Sequence, residues 1–175
     1  MKVAKGEAVA LFQRGLEAVA LRCLVLKKIK NSKTPAIIMG NLNDSSHRVT
    51  TDIIMGKIPK KYPHEIKQKI WDSNDIQIKK SYKDVYFTHL NNSHYESLDH
   101  ILISEESFHE NPNRIGFIEY MHLYNAHLID PALTDEEIPV WQSDHAQVVV
   151  SIKLEEKHQV WHNGFSQVPN GNNHR

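Results

Sequence analysis

The sequence has little cysteine and no excess of charge of either sign. A single cysteine, Cys23, excludes a disulfide within the chain of 175 residues and fits a reducing compartment. The 21 basic residues are matched by 21 acidic residues, so no global field draws the chain to nucleic acid or to a membrane surface. Any contact with nucleic acid would have to come from a local basic patch.

Long apolar runs are also missing. No stretch approaches the roughly 20 apolar residues that a membrane span needs, and the run Ala8–Phe12 is too short for a signal peptide. We therefore expect a soluble, cytoplasmic protein with no membrane partner. The length fits one domain, and no repeat period divides it.

The sequence does contain three apolar runs that carry polar groups at one end. Residues 35–39 predict a short buried strand that ends in Gly40-Asn41-Leu42-Asn43. Leu98-Asp99-His100 opens a second apolar run, and Ser143-Asp144-His145 opens a third one over residues 146–152. Ligands and reacting groups often lie at strand ends in sheet proteins, so these segments are the candidate site.

In this order the three segments resemble the second half of the endonuclease/exonuclease/phosphatase superfamily, which has the deoxyribonuclease-like fold. The family has Gly-Asp-x-Asn, Leu-Asp-x-Ile/Phe-Leu and Ser-Asp-His at these places, and the resemblance covers about residues 14–154. The family also has an Arg-x-x-Glu-Ala-x-x-Leu-Arg helix before the first strand, and the residues that match it are Arg14, Glu17, Ala18, Leu21 and Arg22. Asn41 replaces the family's aspartate, and the family's first half, with its metal-binding glutamate, has no counterpart here.

The resemblance implies an α/β protein of the layered α+β type, namely half of a deoxyribonuclease-like β-sandwich with one mixed sheet and a long N-terminal helix on one face. Residues 1–154 would form this half, and residues 155–175 would be a polar, disordered tail. Periodicity predicts the helix over residues 4–30. The apolar face that it predicts consists of Val9, Phe12, Leu16, Val19, Cys23 and Leu26.

The predicted strands near Ile37, Ile101 and Val149 are apolar at consecutive positions, so we expect both faces of the sheet to be buried. The long helix covers one face, and in the family a second sheet from the first half covers the other. Because that half has no counterpart, either a homodimer or a separate chain covers the exposed sheet face, or the chain is marginally stable and prone to aggregate.

The resemblance also implies roles for the site residues. His145 would bind the scissile phosphate or transfer a proton, Asp99 would fix its tautomer, and Asp144 would bind the metal, Mg²⁺ or Mn²⁺. Asn43 would donate to a phosphate oxygen or position the attacking water. An amide at Asn41 cannot take a proton, and loss of a positioned acid or base costs about 10²- to 10⁴-fold in rate.

His100 projects to the opposite side from Asp99 in a regular strand, so it is left out of the site. A loop at residues 56–64 holds Lys57, Lys60 and Lys61, and it would be either a phosphate-steering patch or an ordinary solvated loop.

Two classes of function stay open. The first is a divalent-metal-dependent phosphoesterase of the nuclease or phosphatase type, acting on nucleic acid, a phospholipid or an inositol phosphate, and impaired by Asn41 and the missing half. The second is a catalytically inactive remnant or pseudo-enzyme that binds phosphate or a partner protein. Whether the chain alone is an enzyme is left open.

Overall fold

A computed structural model describes residues 2–57, 68–81, 86–91, 94–129 and 143–155. The described part is a mixed α/β structure with a long N-terminal helix and small antiparallel sheets, which confirms the coarse fold class. Its elements in chain order are α1 (Lys2–Ile29), β1 (Ile37–Asn41), α2 (Val49–Met55), β2 (Ile70–Asp72), α3 (Ser73–Lys80), β3 (His89–Asn91), β4 (His94–Glu96), β5 (Asp99–Ser104), a 3₁₀ turn (Glu105–Ser107), β6 (Gly116–Tyr124), α4 (Ala126–Ile129) and β7 (Gln147–Leu154).

Strand β5 is the centre of the largest sheet, with β1 on one side and β2 on the other, both antiparallel to it. Two further antiparallel pairs, β3–β4 and β6–β7, complete the described strands. The expectation of one mixed sheet is corrected accordingly. Apolar runs indicate which segments are strands, but they do not encode the direction in which neighbours pair.

Helix α1 begins and ends close to its predicted bounds, but it packs through another stripe. Ala18, Val25 and Ile29 are buried in one cluster with Met55 of α2 and Leu102 of β5. These helix positions lie seven and four residues apart, which is two turns and one turn, so they form one face of the helix. Helix α1 therefore covers one face of the β1–β5–β2 sheet, as expected, through residues that the sequence analysis did not choose.

The stripe that the sequence analysis assigned to the core is the wrong one, because most of it faces solvent. Exposed fractions are 66% for Val9, 70% for Phe12, 57% for Leu16 and 48% for Val19, and Cys23 is exposed as well. Both stripes of α1 have helical spacing, so the period alone could not decide between them.

Arg22 explains how a charged residue is accommodated on the buried face of α1. Its guanidinium donates to the carbonyl oxygens of Ile54 (3.2 Å) and Gln68 (2.9 Å), and burial lowers the pKa of Arg22. The same group lies where a Cβ at Gly56 would be, and Gly56 ends α2 with a left-handed φ of 67°. Helix α2 begins at Val49, and no side chain caps its N-terminus.

The second face of the main sheet is only partly covered. Ile103 of β5 is fully buried in a cluster with Ile118 of β6 and Ile76 of α3. At the other side of that face, Ile37 and Met39 of β1 are 49% and 73% exposed. The expectation that both faces are buried is wrong for β1, and in β7 no residue is fully buried, since its positions are either half-buried or exposed.

Among the described residues, no helix combines the length and the apolar character that a membrane crossing needs. Residues 58–64 of the predicted basic loop (residues 56–64) and residues 156–175 of the predicted tail (residues 155–175) lie outside the described residues.

Candidate active site

The pairing of β1 with β5 sets Asn41 beside Asp99. The two residues are direct antiparallel partners at one end of the sheet. Side chains of directly opposite residues project to the same face, with Cβ atoms about 4.5–5.5 Å apart. Asn41 and Asp99 therefore share the sheet face that also carries the exposed Met39.

His145 completes this group from a different part of the chain. Its Nδ1 lies 2.6 Å from Oδ2 of Asp99, and both side chains are about one-fifth exposed, at 23% and 22%. An ionised carboxylate only accepts hydrogen bonds, so the proton on this contact belongs to Nδ1. The other ring nitrogen, Nε2, makes no hydrogen bond within the described part of the chain. The structure thus places an oriented imidazole next to a carboxylate, with its second nitrogen unbonded by any residue that the structure describes.

Thr88 holds the two segments of this pair together. Its hydroxyl oxygen accepts hydrogen bonds from the backbone N–H groups of Leu98 (2.9 Å) and Asp99 (3.1 Å). Its carbonyl oxygen accepts from the N–H of Ala146 (2.7 Å), which follows His145 directly. Thr88 is only 2% exposed, so these bonds are shielded from competition with water.

Asn41 and Asn43 shape the loop after β1. The Asn43 N–H donates to Oδ1 of Asn41 at 2.7 Å, and Asn43 has a left-handed φ of 50°, which asparagine tolerates better than most residues. Both side chains line a cleft of about 260 Å³ that also includes Arg14 and Glu17 of α1. The turn therefore brings Asn43 to the same end of the sheet as Asn41.

Sequence reasoning missed His89, which lies across from His145. The two residues form an isolated antiparallel bridge, and their ring centroids are 4.7 Å apart. The potential ligand atoms of His89, Asp144 and His145 all lie within 4.8 Å of one another. No local pattern marks His89, since it is brought to the site only by the pairing of two distant segments.

The donor atoms of this group bear on the metal that the resemblance implies. Mg²⁺ prefers octahedral sites of oxygen ligands and Mn²⁺ also favours oxygen donors, whereas imidazole suits zinc and its neighbours. His89, Asp144 and His145 supply two imidazole nitrogens and one carboxylate. This donor set does not fit Mg²⁺ or Mn²⁺ well, so no chemical step is derived through either ion.

His100 lies on the opposite face of β5 and is 3% exposed. Its Nδ1 bonds Oδ2 of Asp72 at 2.8 Å, and its Nε2 bonds the carbonyl oxygen of Asp44 at 2.9 Å. Burial by itself lowers the pKa of His100, but the hydrogen bond and charge of Asp72 outweigh it and raise that pKa. Side chains alternate between the two faces of β5, so His100 points away from Asp99 and lies in the core, as the strand pattern predicted.

No protein-family model, curated protein or solved structure matches the chain.

Proposed function

We propose that the chain is the C-terminal half of an endonuclease/exonuclease/phosphatase-type phosphoesterase in which Asp99 and His145 act on a phosphate ester. The observation that supports this most is the 2.6 Å contact between these two residues, next to Asn41 at one end of the main sheet. The same proposal includes the specific fold, namely half of a deoxyribonuclease-like β-sandwich.

The free Nε2 of His145 is the reacting atom in this proposal. With Nδ1 held by Asp99, Nε2 faces the substrate and bonds a phosphate oxygen or exchanges a proton with the leaving oxygen. Asp99 stabilises the orientation of the ring and its charged form during the transfer. This division of labour needs no other side chain to hold the imidazole.

Asn41 and Asn43 contribute binding without a proton acceptor. The exposed Asn43 amide donates to a phosphate oxygen as charge develops there. The Oδ1 atom of Asn41 accepts the Asn43 N–H, which is a task that a carboxylate at this position would also perform. Restoring an aspartate at residue 41 would therefore keep the turn and add a proton acceptor.

The cofactor in this proposal remains Mg²⁺ or Mn²⁺, held by Asp144 on the strength of the resemblance alone. Asp144 is exposed, and its carboxylate is the one oxygen donor of the His89–Asp144–His145 group.

Hydrolysis of bis-nitrophenyl phosphate in Mg²⁺ or Mn²⁺ tests the proposal. We expect slow turnover by the natural chain, a gain of about 10²- to 10⁴-fold for Asn41→Asp, and loss of activity for His145→Ala. His122→Asn is the matched control, because His122 is an exposed histidine of β6 outside the site. Undetectable turnover by both the natural chain and Asn41→Asp would exclude hydrolysis by this chain alone.

The exposed apolar surfaces favour a second candidate, a protein-binding module whose partner is a second copy of the chain. The exposed stripe of α1 (Val9, Phe12, Leu16, Val19 and Cys23) alternates steps of three and four residues, as the seam of a paired helix does. Exposed apolar patches of this kind mark interaction surfaces. A separate chain that covers Ile37 and Met39 is compatible with the same observation.

Sedimentation at several concentrations distinguishes these possibilities. A homodimer through α1 would dissociate in the variant Phe12→Glu and persist in Met39→Glu, which changes the sheet face instead. A natural chain that sediments as a monomer at every concentration would exclude the homodimer.

A further inference from the structure

His89, Asp144 and His145 form a compact group at the mouth of the site. The potential ligand atoms of the three side chains lie within 4.8 Å of one another. His89 and His145 are backbone partners across an antiparallel bridge, so their spacing is set by the main chain rather than by side-chain choice. A chelating pair on a fixed backbone loses little conformational entropy when an ion binds.

Carboxylates stand behind both imidazoles. Oδ2 of Asp99 holds Nδ1 of His145 at 2.6 Å, and Oε2 of Glu96 lies 3.6 Å from Nδ1 of His89. Metal-binding histidines almost always donate their second nitrogen to a carboxylate or carbonyl group, which fixes the tautomer and increases ligand strength. The arrangement behind His145 has this form already.

His89 has a buried ring nitrogen that forms no hydrogen bond with any described residue. Its side chain is 18% exposed, and its buried Nδ1 has no hydrogen-bond partner among the described residues. A buried polar atom without a partner costs about 1–3 kcal/mol. A hydrogen bond from Nδ1 to the Glu96 carboxylate, now 3.6 Å away, would satisfy this atom and leave Nε2 for a ligand.

The type of donor identifies the class of ion. Two imidazoles and a carboxylate are a common set of three protein ligands for Zn²⁺. In such sites water or substrate takes the fourth tetrahedral position. Ligand atoms around tetrahedral zinc are about 3.3 Å apart, given bond lengths of about 2.0–2.1 Å. The donor atoms lie within 4.8 Å of one another, so they are at most about 1.5 Å farther apart than this spacing. Asp144 is exposed, so the ion can enter from solvent.

We propose that His89, Asp144 and His145 bind one Zn²⁺ ion or a chemically similar ion such as Co²⁺. His145 coordinates through Nε2, with Asp99 as its orienting carboxylate, and His89 is oriented by Glu96. The site does not depend on hydrolysis, although it shares His145 with the proposed reaction. Because Nε2 cannot hold the ion and transfer a proton at once, bound Zn²⁺ inhibits any phosphoesterase activity of the chain.

Titration of the full-length chain with Zn²⁺, in competition with a chromogenic chelator at neutral pH, measures the site directly. We expect one tight site per chain, with affinity reduced more than about 100-fold by His89→Asn. Co²⁺ in place of Zn²⁺ should give the intense visible absorption of a tetrahedral complex, and Asp144→Asn should weaken or alter that spectrum. Asp144 is exposed, so this variant keeps the test valid even if His89→Asn does not fold.

The chain has twelve histidines, so His122→Asn serves as the control for weak binding at other imidazoles, and its affinity should equal that of the natural chain. Equal affinities for the natural chain, His89→Asn and Asp144→Asn would overturn the site. Turnover that persists in saturating Zn²⁺ would overturn ligation by His145. Tight, His89-dependent binding without any turnover would support the site and count against the proposed hydrolysis alone.

Discussion

Replacement of Asp72 by alanine should be among the most destabilising single changes in the core. The Asp72 side chain is 0% exposed and accepts three hydrogen bonds, from the Ser46 hydroxyl (2.9 Å), the Asn74 N–H (2.9 Å) and Nδ1 of His100 (2.8 Å). Nε2 of His100 also bonds the carbonyl oxygen of Asp44, so the ring lies between two acceptors, which favour its doubly protonated, cationic form and raise its pKa. Asp72→Ala thus leaves a buried cation without its counter-ion.

The expected loss follows from that uncompensated charge. Removing one partner of a buried ion pair costs about 3–5 kcal/mol of unfolding free energy. Asp72 also caps α3 by accepting a hydrogen bond from the Asn74 N–H, and loss of this cap costs about 0.5–2 kcal/mol. These two costs overlap and need not add. Against a typical unfolding free energy of about 5–15 kcal/mol, the variant would be close to unfolded.

Urea denaturation followed by circular dichroism measures the change. The double variant Asp72→Ala/His100→Leu should recover most of the loss, because replacing a buried pair by apolar groups is often neutral. Asp52→Ala is the control, since Asp52 pairs with Lys57 near the surface and should lose less than about 1 kcal/mol. A cost below about 1 kcal/mol for Asp72→Ala, or a double variant no more stable than the single one, would refute the reasoning.

Three further predictions concern other parts of the molecule. The raised pKa of His100 means that folding favours its protonated form. The contribution of His100 to stability is therefore complete below about pH 6.5 and is lost as pH rises through the folded pKa. Urea midpoints measured from pH 6 to 9 should show this fall, and the variant His100→Gln should lack it. Gly56→Ala should lower the free energy of unfolding by at least about 1–2 kcal/mol, because residue 56 has a left-handed φ and Arg22 occupies the space of the new Cβ. Thermal melts measure this loss, and Gly40→Ala is the control because a Cβ at residue 40 meets nothing within 4 Å. If the chain hydrolyses phosphate esters, Asp99→Asn should lower kcat about 10²- to 10⁴-fold with little change in KM, whereas an unchanged kcat would remove Asp99 from the mechanism.

The site was more predictable from the sequence than the packing around it. Asp99 and His145 were singled out because each opens an apolar run in a familiar three-residue pattern, and the structure brings them into contact. His89 lay outside any such pattern. Its place beside His145 depends on a backbone pairing between segments far apart in the chain, and single-sequence periodicity contains no information on such pairing.

The face of α1 could not be chosen from periodicity because the helix carries two apolar stripes. The buried one includes Arg22, and a charged residue argues against burial when only the sequence is known. In the folded protein this arginine is satisfied by the carbonyl oxygens of Ile54 and Gln68. These tertiary hydrogen bonds allow the stripe with Arg22 to be buried, although residue polarity alone favours burial of the other stripe.

Thr88 has a consequence for how such a site could change over time. One side chain and one carbonyl group join the backbone of Asp99 to the segment of His145. Exchange of Thr88 for the similarly shaped valine would remove the hydroxyl acceptor without replacing any of the reacting side chains. Genetic variation at this position would therefore alter the alignment of the pair, and a survey confined to residues that touch substrate would overlook it.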